Sequence, residues 1–231
     1  MSKIILRAFS ILNLISLIIV VLLTSVEIAT FSRIFYRFEF GRNNSHEFVN
    51  ITEEELDSVT SVLLDYMRGR REDLVVEVNI HGETREFFSE REKYHMIDVK
   101  DLYDAGHLIR NICILIYIIT LVPILIIYKK KAIKEFLNCY RLGIPIFFGG
   151  LIILGALIFS SFDRAFTIFH EILFSNDLWL LDPRFDLMIN ILPLQFFINI
   201  FIFIMIMFVF TLLCIMAASH IVFKRLKRGV S

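Results

Sequence analysis

The chain has 231 residues, 57% of them hydrophobic, and a mean hydropathy of +0.70. Ordinary soluble domains are roughly 45–50% apolar, so this composition excludes that class. The 24 basic and 24 acidic residues cancel. With no net basic surface, nucleic acid is not an expected partner.

A helix needs roughly 20 predominantly apolar residues to cross a bilayer. Four stretches meet this: Ile4–Thr24, Leu108–Tyr128, Leu142–Phe162, and Leu187 to Phe210 or beyond. The first is too long for the apolar core of a signal peptide, and no Ala-x-Ala-like site follows before Glu27, so it reads as a retained anchor. Lys and Arg then set the orientation. Residues 1–26, 129–141 and 224–231 hold eleven basic residues against one acid, Glu135. Residues 27–107 hold 10 basic and 18 acidic, and residues 163–186 hold 2 and 5. Both termini are therefore expected in the cytoplasm, in a multi-pass cell-membrane protein. The expected class is an α-helical polytopic membrane protein, with four transmembrane helices and a small α+β extracellular subdomain between helices 1 and 2. Its expected divisions are spans at 1–26, 108–128, 142–162 and 187–223, an outer subdomain at 27–107, a basic loop at 129–141, an outer loop at 163–186 and a tail at 224–231. Cys113, Cys139 and Cys214 fall in or beside the apolar runs, which gives no disulfide framework and no thiol nucleophile.

The outer subdomain opens on Thr30–Phe40, whose Phe and Tyr residues suit an interfacial belt. Within it Tyr36 and Glu39 are groups able to face a site. Thr52 and Glu55 match a capping box, and Leu56, Val59, Val62, Leu63, Tyr66 and Met67 recur at helical spacing, which predicts a helix over 53–68 ended by Gly69. Residues 73–80 read as a strand, His81-Gly82-Glu83 as a turn and residues 84–88 as the return strand. The sequons at Asn43 and Asn50 matter only in a pathway that glycosylates. Ser89 and Glu92 form a second capping box. The helix it starts places His95 and Asp98 on one face, where the carboxylate can fix the imidazole's tautomer, and it is expected to run straight into the second span. Gly143, Gly149, Gly150 and Gly155 in the third span suit close helix approach.

Residues 162–186 carry His170, Asn176, Asp177, the only Trp (Trp179), Asp182, Arg184 and Asp186, more chemistry than a plain hairpin between spans needs. Asn190, Gln195 and Asn199 follow in the outer half of the fourth span, where polar groups must face protein or a cavity. Of six histidines, His46, His81 and His220 read as solvated and His107 as interfacial, which leaves His95 and His170. A metal site lacks its pattern, since His170-Glu-Ile-Leu-Phe has no second His for a His-Glu-x-x-His motif. A serine hydrolase lacks one too, because Ser175 has no glycine-bounded nucleophile elbow. The residues alone leave an outer-leaflet site with two histidines, carboxylates and an amide, opening to lipid. A non-enzymatic outer-face binding or assembly protein and a zinc-dependent lipid hydrolase stay open beside it.

Three stretches, Phe35-Tyr36…Glu39-Phe40, Glu90–Val99 and Phe169–Pro193, together resemble the Lit-type lipoprotein intramolecular transacylases of Gram-positive bacteria. The resemblance covers nearly the whole chain. It implies an acyltransferase whose partners are diacylglyceryl-modified bacterial lipoproteins and membrane lipid. The sn-2 acyl chain of the diacylglyceryl-cysteine moves to the cysteine α-amine, giving the N-acyl lyso-form. His95 and His170 are the implied catalytic pair. Tyr36, Glu39, Asp98, Asn176, Trp179, Asp182 and Asp186 are the expected supporting or substrate-binding residues, with Asn176 a candidate oxyanion donor. Neither cofactor nor metal is implied.

Overall fold

The computed structural model describes residues 3–126 and 130–228. The expected end of the second span at Tyr128, Lys129 of the basic loop, and the last three residues of the tail lie outside the described residues. In chain order the elements are α1 (Lys3–Thr30), α2 (Arg33–Asn43), α3 (Ser45–Phe48), α4 (Glu53–Met67), β1 (Glu77–Ile80), β2 (Glu83–Glu86), α5 (Glu90–Ile126), α6 (Lys130–Ser160), α7 (Phe162–Leu173), α8 (Met188–Ile191) and α9 (Leu194–Arg228). Among the described residues four helices, α1, α5, α6 and α9, are long and apolar enough to cross a membrane. The chain gathers into two compact units. The first is the span unit: the chain up to Glu27, Gly106–Ser161, and everything from Phe203. The second is the site unit, Ile28–Ala105 with Phe162–Ile202.

In the span unit Leu14, Val21, Ile124, Phe136, Tyr140, Ile144, Phe208 and Leu212 form one buried cluster. A polar hub ties three helices inside it. Asn13 donates to the Tyr117 carbonyl (2.8 Å) and to Thr120 Oγ1 (2.7 Å), and the Tyr140 hydroxyl donates to Asn13 Oδ1. Glu27 pairs with Arg110 in the same unit. Of the small residues in α6, Gly143 has the function expected, since a Cβ there would overlap the Leu14 side chain. At Gly149, Gly150 and Gly155 an added Cβ meets nothing within 4 Å, so close packing does not explain them.

The site unit is built on α4. Its capping box is complete: Glu55 N donates to Thr52 Oγ1 (3.1 Å) and Thr52 N to Glu55 Oε2 (2.9 Å). The six periodic apolar residues are all buried. Each such side chain contributes about 1.5–3 kcal/mol on burial, so polar replacement of Val59, which has no exposure, is the change that breaks this helix. Gly69, at φ +68°, stops it. The free oxygen of Glu55 takes Asn79 N (2.8 Å) and so fixes the hairpin to the helix cap. The strands are shorter than expected. Asp73 bonds Val75 N and Arg71, which holds the chain in a turn, and pairing begins at Glu77 opposite Glu86. The turn proper is His81-Gly82, at φ +56° and +88°, matching the hairpin's right-handed twist. A lone two-stranded sheet is marginal in water, and this one is anchored by the buried Val78, Phe87 and Phe88.

Residues 33–43 form a helix, and part of the aromatic stretch is packed inside the unit. Ser32 caps α2, which buries Tyr36, Glu39 and Phe40 on one face, with both rings against Phe196 at 5.1 and 6.3 Å. Only its other face, with Ile34 and Phe38, is exposed. The apolar run from Leu187 is likewise not one helix: α8 ends before Leu192, held at φ −118°, ψ 64°. Proline disfavours helical backbone in the residue before it, so Pro193 makes the break and α9 starts after it.

Candidate active site

Ser89 starts α5. Its Oγ accepts from Glu92 N (3.2 Å) and its own N donates to Glu92 Oε2 (2.7 Å). Helical spacing then puts Glu92, His95 and Asp98 on one face, three residues apart. The helix α7 presents Phe166 and His170 on its inward face, four residues apart, with Phe174 just beyond its end. His95 and His170 come together: their ring centroids lie 6.1 Å apart with planes at 38°. Both are buried, at 7% and 8% exposure, although the opposite side of α7 leaves Ile168, Phe169 and Ile172 exposed.

His170 Nδ1 lies 2.7 Å from the Phe166 carbonyl, which can only accept, so Nδ1 carries the hydrogen and Nε2 of the neutral ring holds a lone pair. Trp179 stacks on this imidazole at 5.0 Å and 29°, and Phe166 and Phe174 close it in at 4.2 and 5.6 Å. Burial lowers its pKa, opposed by the Phe166 bond. The His95 pKa is pushed further down, first by burial and then by His170, with Asp98 opposing and Arg91 adding to the shift. Both rings are therefore neutral at pH 7. His95 Nδ1 is buried without a hydrogen-bond partner among the described residues. An unpaired polar atom this deep is costly, and it marks the group able to bind a substrate atom.

The other expected residues sort differently. Among the described residues Asp98 makes no hydrogen bond to His95, and it bears on that ring through its charge. Its Oδ2 accepts from Asn176 Nδ2 (2.8 Å), while Asn176 Oδ1 accepts from Leu178 N (3.0 Å) and the Asn176 carbonyl from the Trp179 indole (3.0 Å). Asn176 is thus a brace that seats Trp179 over His170 and links the loop to α5. Asp182 binds its neighbour Arg184, which holds its carboxyl down at about 2, well below the usual range. Asp186 is buried and receives Asp182 N (2.7 Å) and the Ser89 hydroxyl (2.6 Å). Tyr36 and Glu39 meet neither histidine among the described residues. Tyr36 packs on Phe35, Phe40 and Phe196, and burial pushes its hydroxyl pKa up. Glu39 accepts from Asn199 Nδ2 (2.6 Å) and lies 3.8 Å from Arg42.

Sequence reasoning passed over Glu92, which has no exposure. Besides capping α5 it accepts Met188 N at 2.5 Å. Burial, with the Asp186 charge, pushes its carboxyl up to about 7 against the pull of the Ser89 and Met188 N–H groups. The capping-box pattern found the residue but accounted for only one of its oxygens. Among the described residues, no three His, Cys, Asp or Glu side chains gather as metal ligands do.

The family model described as lipoprotein intramolecular transacylase Lit matches residues 11–197. The chain is also similar to an in meso structure of the membrane integral lipoprotein intramolecular transacylase Lit from Bacillus cereus, with a TM-score of 0.77, 20% identity, and 100% of each chain covered. Two further structures of that protein, in which a histidine is replaced by arginine or by alanine, each give a TM-score of 0.72 at 20% identity. They cover 97% and 98% of this chain and 93% and 96% of theirs. At this identity the likeness is one of fold. No curated protein matches the chain.

Proposed function

The chain belongs to the lipoprotein intramolecular transacylase family Lit and is thus a multi-pass membrane acyltransferase acting on lipoproteins; from that premise we propose that it moves the sn-2 acyl chain of a diacylglyceryl-cysteine onto the α-amine of the same cysteine, with His170 as general base and His95 as oxyanion donor. The observation that carries this reading is the buried imidazole pair, in which the Phe166 carbonyl fixes the His170 tautomer and leaves Nε2 basic.

The α-ammonium, with a pKa of roughly 8, first gives one proton to solvent. The free amine attacks the sn-2 ester carbonyl while His170 Nε2 takes its second proton. The carbonyl oxygen becomes an oxyanion, and a neutral His95 N–H donates to it. When the tetrahedral intermediate collapses, the ester C–O bond breaks and the imidazolium returns its proton to the glycerol oxygen. An amide and a free sn-2 hydroxyl result, and nothing is left on the enzyme. The low imidazole pKa values suit both halves, since each ring is neutral at the start and the imidazolium of a weakly basic ring readily gives its proton back. Donor and acceptor belong to one molecule, so holding them in near-attack geometry can remove roughly 7–11 kcal/mol of barrier without a Ser or Cys nucleophile.

The charge asymmetry supports placing residues 27–107 and 163–186 outside and both termini in the cytoplasm. This puts the pair on the face where lipoprotein N-termini are displayed. A lipopeptide with different sn-1 and sn-2 chains tests the reaction in membranes holding the full chain. Tandem mass spectrometry should find the sn-2 chain in an amide at unchanged total mass. An amide bearing the sn-1 chain, or a free amine beside folded protein, overturns the reading.

A further inference from the structure

The one face of α5 that carries His95 is gripped on both sides of it. One turn later, Asp98 holds Asn176 at 2.8 Å. One turn earlier, Glu92 holds the backbone of Met188 at 2.5 Å, and Ser89 reaches Asp186 at 2.6 Å. The segment held by these two grips, 176–188, includes Trp179, which stacks on His170. We propose that Glu92 is a positioning residue for acyl transfer, joining the start of α8 to the first turn of α5 so that the Trp179–His170 stack meets His95 at a fixed separation. The proposal rests on the transacylase reading for its rate effect but not for its structural effect.

The chemistry of the link is specific to a carboxylate. Glu92 must accept two backbone N–H groups from chain segments about a hundred residues apart, Ser89 N on Oε2 and Met188 N on Oε1. The groups that bear on it are Ser89, Met188 and the Asp186 carboxylate, with no cation among them. Two buried acids meeting at one serine, Asp186 on its hydroxyl and Glu92 on its backbone N–H, are an expensive way to cap a helix, because Ser89 and Glu92 would cap α5 as well on an exposed surface. Glutamine separates the two functions. It satisfies a capping box through its one oxygen, yet turns an N–H₂ group towards the second backbone donor. Glu92→Gln therefore keeps the α5 cap and loses the link to α8.

Three full-length proteins in nanodiscs test this: wild type, Glu92→Gln, and Lys93→Ala as a control whose side chain bonds Glu86 and Glu90. Trp179 is the chain's one tryptophan, so its emission across pH reports the protonation of the imidazole stacked on it. In Glu92→Gln that midpoint should move up towards the ordinary value near 6.5, and kcat should fall about 10- to 100-fold with KM little changed. Lys93→Ala should match wild type in both. If Glu92→Gln does not fold, Glu92→Asp, which keeps the charge on a shorter arm, is read in the same way. An unmoved Trp179 midpoint, or a rate loss no larger than the loss of folded protein, overturns the proposal. Should wild type itself leave the lipopeptide amine free, the transacylase reading fails and the Trp179 midpoint alone decides the role of Glu92.

Discussion

The two units place buried polarity in opposite ways. In the span unit the buried polar side chains are neutral, and several are satisfied by their own helix: Ser10 bonds the Leu6 carbonyl, Ser25 the Val21 carbonyl and Ser219 the Met216 carbonyl. A cross-helix hub, Asn13 with Thr120 and Tyr140, has partners for every group it uses. Beside the neutral Ser45 and Thr60, the site unit buries five ionisable groups, Glu39, Glu92, His95, His170 and Asp186. A carboxylate cannot be satisfied by a helix's own carbonyls, so these groups are bonded across the chain, to Asn199, Met188 and Ser89. Neutral polarity fixes which helices pack together. Ionisable polarity, held at a cost in stability, is what chemistry requires.

If that contrast holds, activity and stability respond to different residues. The largest effect belongs to the imidazoles. His170→Ala should lower the transfer rate about 10²–10⁴-fold, as loss of a general base does, and His95→Ala about 10²–10³-fold, as loss of an oxyanion donor does. Rate assays at matched amounts of folded protein check both, and near-wild-type activity in either would remove that residue from the mechanism. Next comes Asn176→Ala, which removes the side-chain bonds to Asp98 and to Leu178 N that hold the Trp179 loop, while the backbone carbonyl that accepts from the indole stays. A rate loss of about tenfold is expected, with the Trp179 emission red-shifted as the indole leaves the stack.

Asn13→Ala should do the reverse. It strips the hub of its amide and should cost about 1–2 kcal/mol of stability, read by thermal unfolding in detergent, while kcat per folded molecule stays as in wild type. A fall in kcat would break the division between the units. A further effect is one of pH. The Glu92 carboxyl titrates near 4.5 when unfolded and is pushed up to about 7 in the fold. Between those values the folded state binds more protons, so this group's contribution to stability is lost as pH rises. His95 runs the other way: its pKa is depressed, and its contribution falls as pH drops below 6.5. Subtracting the melting temperatures of Glu92→Gln from those of wild type isolates the first. The difference should grow more unfavourable to wild type from pH 4.5 to 7, and a flat difference would show that Glu92 does not titrate there.

Much of this was legible in the sequence wherever the cause is local. The four apolar helices, both capping boxes, the His81-Gly82 reversal and the apolar face of α4 are decided within a few residues. The pairing of α2's Tyr36 and Phe40 with Phe196 was hidden because aromatic residues near a membrane suit a belt and a core equally. The break at Pro193 carried a readable signal, but the apolar run around it outweighed that signal. The fates of Asp98 and Glu92 were not readable at all. Each has an attractive partner three residues away, His95 for one and Ser89 for the other, whereas the bonds that matter reach Asn176 and Met188, separated by 78 and 96 residues. Local spacing shows which groups can meet along a helix, and it does not say which of them tertiary structure will take instead.

The central claim is that two buried imidazoles pass an acyl chain between two atoms of one substrate molecule, with no acyl-enzyme. The most direct test is a crossover experiment. One lipopeptide carries a heavy sn-2 chain and a second, of different peptide sequence, carries a light one. Both are mixed in nanodiscs with the full-length protein and followed by tandem mass spectrometry. The account predicts that every amide keeps the label of its own peptide and that total masses do not change. Heavy chains appearing on the light peptide's amine, or a histidine carrying the label after a quench, would contradict it.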